Sequence, residues 1–123
     1  SWVFVSSASV YAEGQPEGAD ESAELLPAHE TDDDGWETYG ARKVAAERLV
    51  LDAVGDRALL ARSGLIAGPG DHTDRTGYWP LRFAHPASPD GAVLVPESPV
   101  LTQVLDVRDL AEWLVRAGLA RAT

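Results

Sequence analysis

Trp2-Val3-Phe4-Val5-Ser6-Ser7 opens the chain with an aromatic and β-branched run that ends in two hydroxyls. A continuous apolar run of this kind, without polar alternation, suits a strand buried on both faces, as in a parallel sheet. The next periodic stretch is helical. Between Trp36 and Val54, one face carries Tyr39, Lys43, Ala46, Val50 and Val54, and another carries Ala41, Ala45, Leu49 and Ala53. Two usable apolar faces suit a helix packed against a sheet on one side and a partner subunit on the other. Gly55-Asp56 ends it. Ala58-Leu59-Leu60-Ala61-Arg62-Ser63-Gly64-Leu65-Ile66-Ala67 is a second apolar strand, closed by Gly68-Pro69-Gly70. Strand, helix, strand predicts a βαβ crossover with parallel strands, hence an α/β fold.

The segments around this unit are less regular. Ala12 to Gly35 is rich in Glu, Asp, Gly and Pro and reads as a long loop, with one turn of helix expected near Ser22–Leu26. Loops of this length in compact domains are usually functional or mobile. After Asp71, a short helix is expected over Tyr78–Phe83, with Pro80 tolerated in its first turn. Val93-Leu94-Val95 and Leu101–Leu105 are short strand candidates. The last helix is the clearest: Asp106 caps it, Asp109 follows at N3, Val107, Leu110, Ala111, Leu114 and Val115 make its apolar stripe, and Gly118 stands where a C-cap belongs.

The chain has 123 residues, 10 basic and 20 acidic side chains, a net charge of −10 and no Cys. The missing Cys excludes thiol catalysis, iron–sulfur clusters, Cys-based zinc sites and disulfide scaffolds. The negative balance disfavours nucleic acid as a partner. No apolar stretch approaches the roughly 18 residues of a membrane span, and Ser1–Val5 has no basic signal-peptide region, so a cytoplasmic protein away from membranes is expected. Ten acids lie between Glu13 and Glu37, and no Lys or Arg precedes Arg42. The rest of the chain is electrically balanced, so the whole net charge belongs to the loop between the first strand and the helix.

Tyr39 and Lys43 are four residues apart, one turn along a single helix face. A free phenol ionises near pH 10 and is a poor base at neutrality. An ammonium a few ångströms away stabilises the phenolate and makes Tyr39 a candidate general acid/base. Ser7 stands at the carboxyl end of the first strand, where ligands bind in open α/β sheets.

Four segments extend this reading: Val3-Phe4-Val5-Ser6-Ser7-Ala8-Ser9-Val10-Tyr11; Tyr39-Gly40-Ala41-Arg42-Lys43-Val44-Ala45-Ala46-Glu47; Arg62-Ser63-Gly64-Leu65-Ile66-Ala67-Gly68-Pro69-Gly70-Asp71; and Leu105-Asp106-Val107-Arg108-Asp109-Leu110-Ala111. In this order they resemble successive signatures of the extended short-chain dehydrogenase/reductase family, more narrowly its NAD-dependent epimerase/dehydratase branch. The resemblance implies a partial Rossmann-like, doubly wound parallel sheet. Residues 1–70 would be the C-terminal half of the nucleotide-binding domain, and residues 71–123 part of a small substrate domain with a final helix packing back on the sheet. It implies NAD or NADP as cofactor and hydride transfer at a hydroxyl or carbonyl carbon of a small-molecule substrate. Tyr39 would be the acid/base, Lys43 its tuner and a ligand of the nicotinamide ribose, and Ser7 the group orienting the reacting oxygen. Ser6 and the backbone at Arg62, Gly64 and Leu65 would border the nicotinamide. Ser9 and Tyr78 would face the substrate, Arg75 would either meet an anionic substrate or pair with Asp71 or Asp74, and a homodimer would form through the Tyr39–Val54 helix.

The chain lacks the family's Gly-x-x-Gly-x-x-Gly turn, which holds the pyrophosphate at a helix N-terminus. We therefore expect the second half of a longer enzyme, binding nicotinamide nucleotide weakly or not at all by itself. A non-catalytic binding or regulatory module on the same fold is the alternative. Glu30, Asp32, Asp34 and Gly35 fit positions of a calcium loop, but Ala41 stands where its closing Glu belongs and no helix precedes, which favours a solvated loop. His29, His72 and His85 lack metal-ligand spacing, so no metal is expected. An acidic loop beside the site favours a neutral or weakly charged substrate over a nucleotide sugar, unless Arg75 or Arg82 offsets it.

Overall fold

Strand β1 (Trp2–Ser7) and strand β2 (Ala58–Ser63) pair in parallel, in register from Trp2 opposite Ala58 to Ser7 opposite Ser63. Helix α1 (Tyr39–Val54) connects them and packs on both, as the apolar runs and the helical period predict. The computed structural model describes residues 1–31, 35–74, 76–97 and 103–120. They form a mixed α/β chain of two compact units, Ser1–Gly64 with Ala111–Thr123, and Leu65–Leu110.

In the first unit, α1 is entered through a 3₁₀ turn at Trp36–Thr38 and closes at Gly55, whose N–H donates to the Leu51 carbonyl. Its buried residues are Gly40, Val44 and Glu47, one narrow stripe. The second apolar face expected from the sequence is not covered among the described residues: Leu49 is 71% exposed and Ala53 is exposed. The neighbouring sheet has two strands, and it meets only one side of the helix.

Successive strand residues point to opposite faces, but β1 is not buried on both as its apolar run predicts: in a sheet of two described strands Trp2 is 60% and Val5 41% exposed. Phe4 lies beneath Lys43 of α1. Val3 and Val5 instead line an open groove of about 520 Å³ with Ser1, Leu114, Val115, Gly118 and Leu119. The last five belong with helix α3 (Val107–Ala120) except for Ser1, whose hydroxyl donates to the Gly118 carbonyl at 2.6 Å. Gly118 is therefore no C-cap, and α3 runs through it. A Cβ at this position would lie 2.9 Å from the Val3 Cγ2 methyl, so the glycine lets the helix approach the strand.

The loop after β1 is fastened at several points. A 3₁₀ turn (Ala8–Val10) buries Val10 completely. Tyr11 bridges Leu25, Ala12 N–H donates to the Glu24 carbonyl at 2.9 Å, and Leu26 N–H donates to the Val10 carbonyl at 2.8 Å. The helical turn expected at Ser22–Leu26 does not form. The Asp20 carboxylate accepts from both the amide and the hydroxyl of Ser22, at 2.9 and 2.6 Å, and such side-chain bonds compete with helix.

In the second unit, strand β3 (Leu65–Ala67) pairs in parallel with strand β4 (Val104–Asp106). The single strand expected over Ala58–Ala67 is thus divided at Gly64, its two parts joining different sheets. A glycine within an apolar run often marks such a bend. Val93-Leu94-Val95 forms no strand; it finds no partner strand among the described residues, and Leu94 is 93% exposed. The candidate at Leu101–Leu105 survives as β4, while Leu101 and Thr102 lie outside the described residues. Helix α2 (Tyr78–Ala84) forms with Pro80 in its first turn. Asp106 caps α3 as expected: its Oδ1 accepts the Arg108 amide at 2.8 Å. The Arg108 side chain, followed by that amide, holds the Asp106 carboxyl at a pKa of about 2.

Candidate active site

Ser7 ends β1 and caps the turn that follows it. Its Oγ accepts the Ser9 amide and donates to the Ser9 hydroxyl, both at 3.1 Å. Ser9, expected to face substrate, is exposed and orients Ser7. Gly40, the second residue of α1, touches this turn from the other side. A Cβ there would overlap the Ser9 carbonyl oxygen and stand 2.8 Å from Leu26 Cδ1. Only glycine lets the start of the helix meet the end of the strand this closely, and this contact brings the Ser7 turn to the helix that carries Tyr39.

Tyr39 opens α1, half-buried, with its ring stacked on Trp36 at 5.4 Å and 14° between planes. Trp36 is 78% exposed, so the pair presents an aromatic surface to solvent. Lys43, one turn further, places Nζ 5.9 Å from the Tyr39 ring centroid and 5.3 Å from that of Phe4. Its ammonium donates to the Val5 carbonyl at 3.2 Å. The helix spacing thus brings Lys43 to Tyr39 and ties both to β1, two residues before Ser7. Lys43 is the only lysine among ten basic side chains. Its ammonium is a compact point charge, unlike the planar guanidinium of the other nine.

The residues expected around the nicotinamide are placed differently from one another. Ser6 is buried, and its hydroxyl makes no well-formed hydrogen bond among the described residues. Gly64 links β2 to β3, and Leu65 opens β3 in the second unit, its N–H donating to the Gln103 carbonyl at 3.2 Å. Tyr78 opens α2 and is 53% exposed, edge-to-face with Trp79. Arg75 lies outside the described residues.

The Arg62 side chain does not stand free for a ligand. It grips Glu47, with Nε 3.0 Å from Oε1 and Nη2 2.8 Å from Oε2, while Nη1 donates to the Tyr11 hydroxyl at 3.0 Å. The guanidinium also lies 5.0 Å from the Tyr11 ring centroid. Burial pushes the Glu47 carboxyl toward its neutral form. Hydrogen bonds from Arg62, the nearby Ser6 hydroxyl and the charges of Arg62 and Lys43 outweigh this and hold its pKa below the ordinary value. The sequence reading missed this network. Its signal was present, because a charged residue inside the apolar run Ala58–Ala67 requires a partner.

Among the described residues no group of three or more His, Asp or Glu side chains is arranged to hold a metal, and no helix is long and apolar enough to cross a membrane. The donor set suits a nicotinamide ribose: Lys43 spends one ammonium hydrogen on Val5 and keeps two for hydroxyl groups. The chain has no Gly-x-x-Gly-x-x-Gly turn for a pyrophosphate. Neither the curated proteins nor the solved structures contain a match to the chain. Comparison with known families matches residues 1–122 to the NAD dependent epimerase/dehydratase family. With nearly its whole length matched, the chain belongs to the NAD dependent epimerase/dehydratase family.

Proposed function

We propose that this chain carries the proton-transfer machinery of a nicotinamide-dependent epimerase, dehydratase or reductase of the extended short-chain type. The observation that carries the reading is the chain's one lysine, held by the Val5 carbonyl beside the Tyr39 ring. A doubly wound, Rossmann-like sheet is the matching fold. It is supported by β1, whose Phe4 meets α1 while Val3 and Val5 line the groove shared with α3.

In the proposed mechanism Ser7, held by the Ser9 amide, turns its one hydroxyl hydrogen from the Ser9 hydroxyl to the reacting oxygen of the substrate. Tyr39 removes the proton from that oxygen as a carbonyl forms and returns it in the reverse direction. Lys43 stabilises the phenolate electrostatically, and its remaining hydrogens bind the ribose. Ser6 and the backbone of Arg62 to Gly64 would border the nicotinamide, which supplies the hydride acceptor and donor when bound. The ten acids between Glu13 and Glu37 repel anions, which favours a neutral or weakly charged substrate.

The test is hydride transfer followed at the nicotinamide absorbance, over a panel of neutral alcohols and carbonyl compounds beside nucleotide-diphosphate sugars, in the protein that contains this chain. Tyr39→Phe should lower turnover by about 10² to 10⁴-fold, the usual range for an acid/base group, with melting temperature preserved. Turnover unchanged by Tyr39→Phe removes this mechanism.

A further inference from the structure

The Arg62 guanidinium joins three parts of the first unit that sequence keeps apart. Two of its nitrogens hold Glu47, two turns along α1 from Tyr39 and one turn from Lys43. The third donates to the Tyr11 hydroxyl, directly after the turn that holds Ser7 and Ser9, and reaches the Glu21 carbonyl at 3.5 Å. The Glu47 side chain is 3% exposed and that of Arg62 17%. Such a pair is poorly explained as a source of stability, because apolar residues of similar volume serve at least as well in a core. What apolar residues lack is direction. A planar fork fixes the angle between helix, strand and loop, which a point charge cannot do.

We propose that Arg62 is a positioning residue: by holding Glu47, Tyr11 and Glu21 together, it sets the Ser7 turn and the loop behind it against the helix that carries Tyr39 and Lys43. The proposal rests on the reading of Ser7, Tyr39 and Lys43 as the reacting groups. Its need is physical. A long polar loop separates Ser7 from Tyr39 in sequence, and misplacement of reacting groups by about 1 Å costs on the order of a hundredfold in rate. Gly40 against Ser9 fixes one point of contact, and Arg62 fixes the second.

Two variants test it in the protein containing this chain. Tyr11→Phe removes one hydroxyl and leaves the aromatic packing. Glu47→Leu with Arg62→Met replaces the ion pair by apolar volume. In both, amide exchange at Ser9, Ala12 and Leu26 should accelerate at least tenfold. The side-chain nitrogen resonance of Lys43, the one lysine of the chain, should shift. Turnover of the compound found in the substrate panel should fall at least tenfold, with KM for the nicotinamide nucleotide within threefold and melting temperature nearly kept. Arg62→Lys should not restore turnover. If the double variant does not fold, Tyr11→Phe alone decides. Unchanged exchange in Tyr11→Phe overturns the proposal whatever the turnover, and so does accelerated exchange with turnover intact. Tyr39→Phe measured alongside separates the two readings: if it keeps turnover the catalytic assignment fails, while exchange and the Lys43 resonance still report on the clamp.

Discussion

Lys43 Nζ donates to the carbonyl oxygen of Val5 at 3.2 Å, across the contact between α1 and β1. The bond aims a side chain with four rotatable carbons and leaves its charge 5.9 Å from the centre of the Tyr39 ring. Removing the charge should therefore affect chemistry far more than folding. Lys43→Met is expected to lower turnover by about 10²-fold or more, while costing only about 1 kcal/mol of stability for one lost hydrogen bond. Steady-state rates and urea unfolding of the same preparation check both. A loss of several kcal/mol would make Lys43 a structural residue instead.

Glu47 ties stability to pH. Its carboxyl has a lower pKa folded than unfolded, so its contribution is complete above the unfolded value, near pH 4.5, and is lost as pH falls through the folded value. Glu47→Gln leaves Arg62 without its counter-charge and should cost about 3 to 5 kcal/mol at neutral pH. It should also flatten the decline in stability below about pH 5. Asp106, with its pKa of about 2, contributes its own loss at lower pH and should still do so in the variant. Unfolding free energies measured from pH 7 to pH 3 decide, and parallel curves for parent and variant would contradict the assignment.

What the sequence made legible was local. The β1 run, the α1 helix and the Tyr39–Lys43 spacing each act within a few residues, and each element forms, but β1 is not buried on both faces and the buried stripe of α1, Gly40, Val44 and Glu47, is neither of the two faces read from its period. Arg62 and Glu47 are fifteen residues apart and meet only once β2 lies beside α1, so spacing alone did not reveal them. The division at Gly64 was hidden because Leu65-Ile66-Ala67 is as apolar as the strand before it, and hydropathy cannot say which sheet a strand joins. Gly118 misled for the same reason. Its place near the end of α3 suggested a cap, while packing against Val3 determines its role.

Gly40 holds the Ser7 turn and α1 in contact, and it has no room to grow. The Cβ of alanine would meet the Ser9 carbonyl, a backbone group that cannot move without displacing the turn capped by Ser7. Gly40→Ala should cost about 1 to 3 kcal/mol, the usual penalty of overpacking, and should lower turnover because the shift falls on Ser7. Urea unfolding and steady-state rates measure the two effects. A stabilised variant would show that the contact yields easily.

Gly118 gives the opposite balance for a substitution of the same size. It lies inside α3, where glycine costs about 0.5 to 1 kcal/mol relative to alanine. The atom that a new Cβ would meet, at 2.9 Å, is a Val3 methyl rather than backbone, and it borders an open groove into which the side chain can turn. The helical gain and the packing loss should nearly cancel, so Gly118→Ala is expected within about 1 kcal/mol of the parent. Gly118→Val adds two methyls on the same line and loses helix propensity, and it should destabilise by about 1 to 3 kcal/mol. Adding Val3→Ala to Gly118→Val should recover part of that loss if the methyl contact is its cause. A double variant whose loss is the sum of the two single losses would show that the helix and β1 do not press on each other at this point.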